Sequence, residues 1–390
     1  MDCHLGVGRL PDTLSATGGF MLKTALIMLT LTALPATAQE RATPHLDAVD
    51  DAVAPIMEAG RFPAVVVAVL DQGAPVHVGE YGFASLEHAA PARADSVFEL
   101  ASLTKHMTAL MVLSLAEEGH LSLDDPLSRY VEDTPEAWSA ITINQLLSHM
   151  AGLAHRFEAR PDGEFQIAYS TEDMLASARS TPMESEPGTD WGYSDQGYFL
   201  LGLVIEEVTR QSFEAALRQR FWAPLGMSQT RMLDQSAIVP HRAEGYGVYE
   251  GELARNRRVW QFGLTSHFGV TSSLQDLMIW EAELDDPQVL DPDVIVQAAE
   301  IQRAFDAGDS CERWGYARGW WSHDVNGHQI TSHAGYSGTA YVRDMTSGQS
   351  VIVLTNREDG EGLVSPMAIA WAAGHAAGMD VPENGLTCWR

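Results

Sequence analysis

The sequence predicts an α+β fold: an antiparallel β-sheet flanked by N- and C-terminal helices, with a mainly helical region inserted at about residues 122–265. Three observations predict it. Apolar, β-branched runs separated by turn residues occur early, within 62–83, and again late, within 315–356. The stretch between them carries helical spacing and loops instead. Helix-patterned segments also stand before the first strand and after the last. A chain with strands at both ends and helices between closes one sheet from its two terminal pieces.

Taken in order, residues 1–38 read as a leader. Within it, 21–38 form a signal peptide: Lys23 near the start, a short apolar run, and Ala36-Thr37-Ala38 at the end. That run is too short to anchor in a bilayer. The domain then covers 39–390 and is expected to be exported, periplasmic or secreted. Residues 45–59 place Leu46, Val49, Val53, Ile56 and Met57 near helical spacing. Residues 62–70 form a strand, and Gln72-Gly73 turns the chain into a second at 76–83. Residues 103–118 make a strong helix stopped by Gly119. Further helices are predicted at 142–148, 171–178, 194–209, 212–221 and 272–284. Strands follow at 315–323, 328–332, 338–344 and 349–356, with Ser347-Gly348 closing the last hairpin. A helix at about 364–377 ends the domain.

Bulk properties narrow the partners. The chain has 390 residues and is 45% hydrophobic, enough to bury a sizeable core. Its formal net charge of −29 repels phosphate backbones and anionic lipid surfaces, so nucleic acid is excluded as a partner. No stretch after the leader is apolar enough for integral membrane association. A small-molecule or peptide substrate is the expected partner, and the oligomeric state is open. Cys3 falls in the leader, which leaves Cys311 and Cys388 either to pair or to stay as thiols. Neither has metal-site spacing, and His149 and His155 lack a third ligand at such spacing. Gly-rich phosphate motifs are absent. No metal and no cofactor is expected.

One lysine stands out. Past the leader, Lys105 is the only lysine in a chain that otherwise draws its positive charge from arginine. Arginine cannot give up its proton at usable pH, whereas a buried lysine can. Lys105 follows Ser102 by three residues, in Ser102-Leu103-Thr104-Lys105. Positions i and i+3 share a helix face, so the two side chains can meet. Ser102 also sits at a helix start, where free backbone N–H groups favour developing negative charge. A serine hydroxyl beside a lysine whose pKa burial lowers is an activated nucleophile. His106 points away from that face.

These residues, with others in order along the chain, resemble the serine β-lactamase / penicillin-binding-protein superfamily. The nearest branch is that of class C β-lactamases, D-Ala-D-Ala carboxypeptidases, D-aminopeptidases and esterases. The order is Ser102-Leu103-Thr104-Lys105, then Tyr193-Ser194-Asp195, then His333-Ala334-Gly335. Connecting stretches at 146–153, 187–202, 224–227 and 270–277 agree, and the resemblance spans about 50–375. It implies a β-lactamase/transpeptidase-like fold and a serine hydrolase that works through an acyl-enzyme. Ser102 would be the nucleophile, Lys105 its base and Tyr193 the second proton carrier. The backbone N–H groups of Ser102 and Tyr336 would form the oxyanion hole. Asp195, His333 and Gly335 would bind substrate, Gly335 by letting it approach the strand closely. Trp191, Trp260, Phe262, Phe268 and Tyr336 could line an apolar acyl pocket.

Two departures from the family pattern shape the expected substrate. Asp195 stands where asparagine is common, and an ionised aspartate cannot donate a hydrogen bond to a substrate carbonyl. A carboxylate near Lys105 also favours the charged amine and works against its role as base. His333-Ala334 stands where Lys-Thr is usual, so the cation and the hydroxyl that together bind a carboxylate are both missing. Ester or amide substrates therefore rank first, ahead of D-Ala-D-Ala or D-amino-acid peptides, with β-lactams third. A non-catalytic peptidoglycan or ligand sensor is the alternative from another class.

Overall fold

The strand Ala64–Asp71 explains the layering of the molecule. Its side chains alternate between two cores, Val65, Val67 and Val69 on one face and Ala64, Val66, Ala68 and Leu70 on the other. An unbroken apolar run is what a strand covered on both faces requires. The first face packs on helices Asp47–Gly60 and Pro366–Ala376, which supply Val49, Val53, Ile369 and Trp371. The opposite face meets helix Leu274–Asp285 and the larger core. This computed structural model describes residues 45–157, 168–256, 261–306, 311–382 and 385–386. The leader, with Cys3, and Trp260 and Cys388 lie outside them.

The described residues form a nine-stranded sheet, antiparallel throughout. The C-terminal strands Arg303–Phe305, Arg313–Tyr316, Trp321–Val325, His328–Gly335, Thr339–Asp344 and Gln349–Thr355 lie side by side in chain order. Gln349–Thr355 then pairs with Ala64–Asp71, from Val65↔Thr355 to Asp71↔Gln349, which joins the two ends of the chain as predicted. Ala74–Ser85 and Ala90–Pro91 complete the far edge. Helix Thr104–Glu117 is buried on every side from Thr104 to Leu115. A helix buried on all sides belongs inside a protein rather than on its surface. Among the described residues no helix is long and apolar enough to cross a membrane. Cys311 is disulfide-bonded.

Most predicted helices form within a few residues of their expected bounds: Ile143–Leu147, Thr171–Ser180, Asp195–Thr209 and Leu274–Asp285. Capping boxes at Thr142 and Ser170 start two of them. Three readings change. The segment 212–221 is helical only to Leu217 and continues as a π turn over Arg218–Trp222. The single strand expected at 315–323 is two, Arg313–Tyr316 and Trp321–Val325. Gly319 turns the chain between them at φ 82, and a Cβ there would lie 2.9 Å from His106 Cα and 3.0 Å from the Lys105 carbonyl. The turn is thus packed onto the nucleophile helix, a contact that alternation in sequence does not report. Helix Pro292–Ala299, capped by Asp291, was not anticipated, although Asp-Pro is a fair start signal.

Candidate active site

The turn that carries Ser102 is built by three segments. Strand Val97–Glu99 leads into a 3-10 turn, Ala101–Leu103, and helix Thr104–Glu117 continues from it. Ala101 has φ 47, a left-handed conformation that costs a non-glycine residue strain. Leu100 pins this corner: its N–H donates to Val270 O at 2.9 Å, and its carbonyl accepts from Thr339 Oγ1 at 2.8 Å. A Cβ on Gly335 would overlap Leu100 O and Thr339 Oγ1. The close approach that Gly335 permits is therefore that of strand His328–Gly335 to the nucleophile turn. Substrate approach at Gly335, expected from the sequence, is compatible with this contact. The packing sets Ser102 and Tyr336, the two expected oxyanion donors, on adjoining segments. Tyr336 is 55% exposed and lines an open depression with Ala334, Gly335, Asp359 and Gly360.

Lys105 is fully buried. Its Nζ lies 3.1 Å from Ser102 Oγ, 2.7 Å from Asp195 Oδ1 and 2.8 Å from the His267 carbonyl. Three oxygen acceptors match the three N–H donors of an ammonium. Burial pulls the Lys105 pKa down, but the Asp195 carboxylate and the Tyr193 oxygen outweigh it and hold the amine above its ordinary range. Burial raises Asp195, yet the facing ammonium and His267 bring it to about 2. The expectation that burial alone would free the amine is reversed in this resting arrangement; the opposing effect of Asp195 prevails. His267 was missed because its contribution is a backbone oxygen, which no side-chain motif signals.

Tyr193 completes the group. Burial raises the pKa of its hydroxyl, which lies near enough to Lys105 and Ser102 for both to pull it down. Its ring centre lies 4.8 Å from Lys105 Nζ. Helix Asp195–Thr209 begins just after it. The N-cap Ser194 Oγ accepts from Gly197 N–H at 3.1 Å and donates to Ala154 O at 2.8 Å. Asp195 N–H donates to His155 O at 3.0 Å. The loop after helix Ile143–Leu147 thus grips the start of the helix that bears Tyr193 and Asp195.

His333 is 4% exposed, and burial first, with Lys105 second, lowers its pKa to about 4. It is neutral at pH 7. Its Nδ1 is 2.7 Å from Ala334 O and its Nε2 3.5 Å from the Tyr316 hydroxyl. It forms one wall behind Tyr193, at 6.1 Å between ring centres, and offers no cation to the cleft. Of the expected pocket aromatics, Trp191 packs among Phe305, Tyr316 and Trp321, while Phe262 stacks on Tyr169 and meets Phe268 edge-on. His106 faces away from Ser102 and accepts from Trp280 Nε1 at 2.9 Å.

Among the described residues one group, His45, Asp50 and His77, has ligand atoms close enough to share a metal, within 4.8 Å. Leu46 N–H donates to His77 Nδ1 at 3.0 Å, which places the ring proton on Nε2. That nitrogen faces Asp50 at 3.7 Å and the Tyr81 hydroxyl at 3.4 Å. A protonated nitrogen has no lone pair for a metal. The group is a hydrogen-bond knot between the N-terminal helix and the second strand.

A sequence model described as Beta-lactamase matches residues 49–375. The chain belongs to the Beta-lactamase family. It is 30% identical over 355 residues to Penicillin-binding protein 4* of Bacillus subtilis (strain 168), covering 84% of this chain and 75% of that protein. The octameric penicillin-binding protein homologue from Pyrococcus abyssi superposes with a TM-score of 0.74 at 24% identity, over 85% of this chain and 77% of that one. D-amino acid amidase from Ochrobactrum anthropi SV3, in complex with D-phenylalanine, gives a TM-score of 0.72 at 21% identity, over 85% and 98%. At such identities the two structures speak for the fold, the β-lactamase/transpeptidase-like architecture. Within the Beta-lactamase family the protein is a hydrolase of the β-lactamase/penicillin-binding-protein-like serine type.

Proposed function

We propose that the protein hydrolyses an ester or amide lacking the carboxylate that β-lactams and D-Ala-D-Ala peptides carry, through an acyl-enzyme on Ser102. The observation that carries the chemistry is the convergence of Ser102, Tyr193 and Asp195 on Lys105 Nζ. The buried, neutral His333 beside Ala334 supports the choice of substrate. Ser102 Oγ attacks the carbonyl carbon as its proton passes to the Lys105–Tyr193 pair. The Ser102 and Tyr336 N–H groups hold the oxyanion. Its collapse breaks the bond to the leaving oxygen or nitrogen, which takes a proton from Tyr193. Water then adds to the acyl carbon and yields its proton to Tyr193, and the bond to Ser102 breaks as Ser102 Oγ takes that proton back through the Lys105–Tyr193 pair. With Lys105 an ammonium and Tyr193 a phenol, the resting pair holds one proton too many, so the competent form is reached by losing one. Export directed by residues 21–38 belongs to the same proposal.

The test is hydrolysis of a short-chain p-nitrophenyl ester by the protein starting at Gln39, with nitrocefin in parallel and Ser102→Ala as control. Ester turnover that Ser102→Ala abolishes, with little nitrocefin cleavage, is expected. Brisk nitrocefin cleavage would sink the argument from His333 and Ala334. A covalent adduct without turnover would favour the sensor. A second reading rests on Asp195, whose side chain keeps 27% exposure beside the buried lysine and could draw a substrate amine. Free-amine amides should then outpace N-blocked ones; equal rates reject it.

A further inference from the structure

Tyr193 stands one residue before an N-cap, where no helical ladder holds the chain. His149, from the preceding loop, holds it on both sides. The His149 carbonyl accepts from Gly192 N–H at 3.0 Å, and His149 Nδ1 accepts from Ser194 N–H at 3.0 Å. The imidazole lies 4.4 Å from the Tyr193 ring at 39°, with Tyr316 and Tyr198 at 4.6 and 5.1 Å behind it. His149 is 1% exposed and adopts φ 59, a conformation kept only where the surroundings over-determine it. Because Nδ1 accepts, the ring proton sits on Nε2, which has no hydrogen-bond partner among the described residues. The Ser194 amide is thus the ring's single polar tie there. Leucine or phenylalanine would fill the space; neither supplies that acceptor.

We infer that His149 is a positioning residue, whose Nδ1 acceptor and ring face fix the Tyr193 phenol against Ser102 and Lys105. The inference rests on the Ser102–Lys105–Tyr193 reading above. Four variants test it: His149→Leu, His149→Asn, Tyr193→Phe, and His149→Leu combined with Tyr193→Phe. Asparagine keeps an acceptor at about the reach of Nδ1. His149→Leu should lower kcat for the ester about 100-fold, the scale of a small misplacement of a reacting group, with KM little changed. His149→Asn should recover most of that loss. In the Tyr193→Phe background, His149→Leu should cost less than about 3-fold more, because residues that act together are not additive. The full loss repeated in that background would overturn the inference.

Crystal structures supply a readout independent of activity. The Tyr193 hydroxyl should leave Ser102 Oγ in His149→Leu and return in His149→Asn; an unmoved Tyr193 overturns the inference. Should His149→Leu fail to fold, His149→Asn still decides. A folded Asn variant with Tyr193 in place and near-native kcat supports the inference; one with Tyr193 in place and an equal 100-fold loss overturns it. Lack of any Ser102-dependent turnover in the unsubstituted protein would sink the proposed function, and the crystal structures would then decide the role of His149.

Discussion

Lys105 and Asp195 face each other at 2.7 Å, and that pairing sets the pH at which the site can work. The lysine pKa is raised, so the free amine accumulates only on the alkaline side. The kcat/KM profile should therefore climb with pH above neutrality. Asp195→Asn removes the largest of the effects that oppose burial, which lowers the amine. The rising limb should move to lower pH by about 1–3 units, the usual effect of an adjacent opposite charge. A limb that stays put would show that Asp195 does not control Lys105. Lys105→Arg keeps the charge and removes the base, because guanidinium does not deprotonate. Ester turnover should fall by about 100-fold or more, the typical worth of a positioned base. Wild-type rates in that variant would reduce Lys105 to a fixed charge. Ser102 and Lys105 were readable from their spacing, and Tyr193 and Asp195 from the resemblance to the family, because each presents its own side chain to the cleft. His267 meets Lys105 through a carbonyl, which no side-chain motif signals.

Among elements, the contact of strand His328–Gly335 with the nucleophile turn is the most sensitive. Gly335 has no room for a methyl group beside Leu100 O and Thr339 Oγ1. Gly335→Ala should destabilise the fold by about 1–3 kcal/mol, the cost of overpacking a tight contact. It should also reduce turnover, because the segments that carry the Ser102 and Tyr336 amides must separate. Urea unfolding together with ester kinetics checks both. A variant of native stability and rate would mean that strand and turn are not locked together. Element types were legible wherever one period persisted. The two-strand reading of 313–325 was not, because Gly319 turns in response to Lys105 and His106, far away in sequence.

The whole molecule buries an unusual set of neutral imidazoles. Burial is the largest cause that lowers His106 and His267 to about 3, and His323 and His333 to about 4. In the unfolded chain each titrates near 6.5. A depressed folded pKa contributes stability that is complete above the unfolded value and is lost as pH falls toward the folded one. Stability should thus decline from about pH 6.5 to 4, each such histidine adding up to about 1.4 kcal/mol per pH unit. Denaturant midpoints measured between pH 7 and 4.5 check this; a flat profile would show that these rings protonate in place.

Tyr193 and Asp195 entered through the resemblance to the family. The sequence by itself determined the fold class, the joining of the terminal strands and the Ser102–Lys105 spacing. Those follow from apolar periodicity and from spacing along one helix, which are local properties. Only the tertiary structure decided the protonation of Lys105, the burial of His333 and the partner of Gly335. Each depends on which groups 90 or more residues apart come within a few ångströms, and on the water excluded when they do. A pKa is a property of that neighbourhood, and no residue carries it alone.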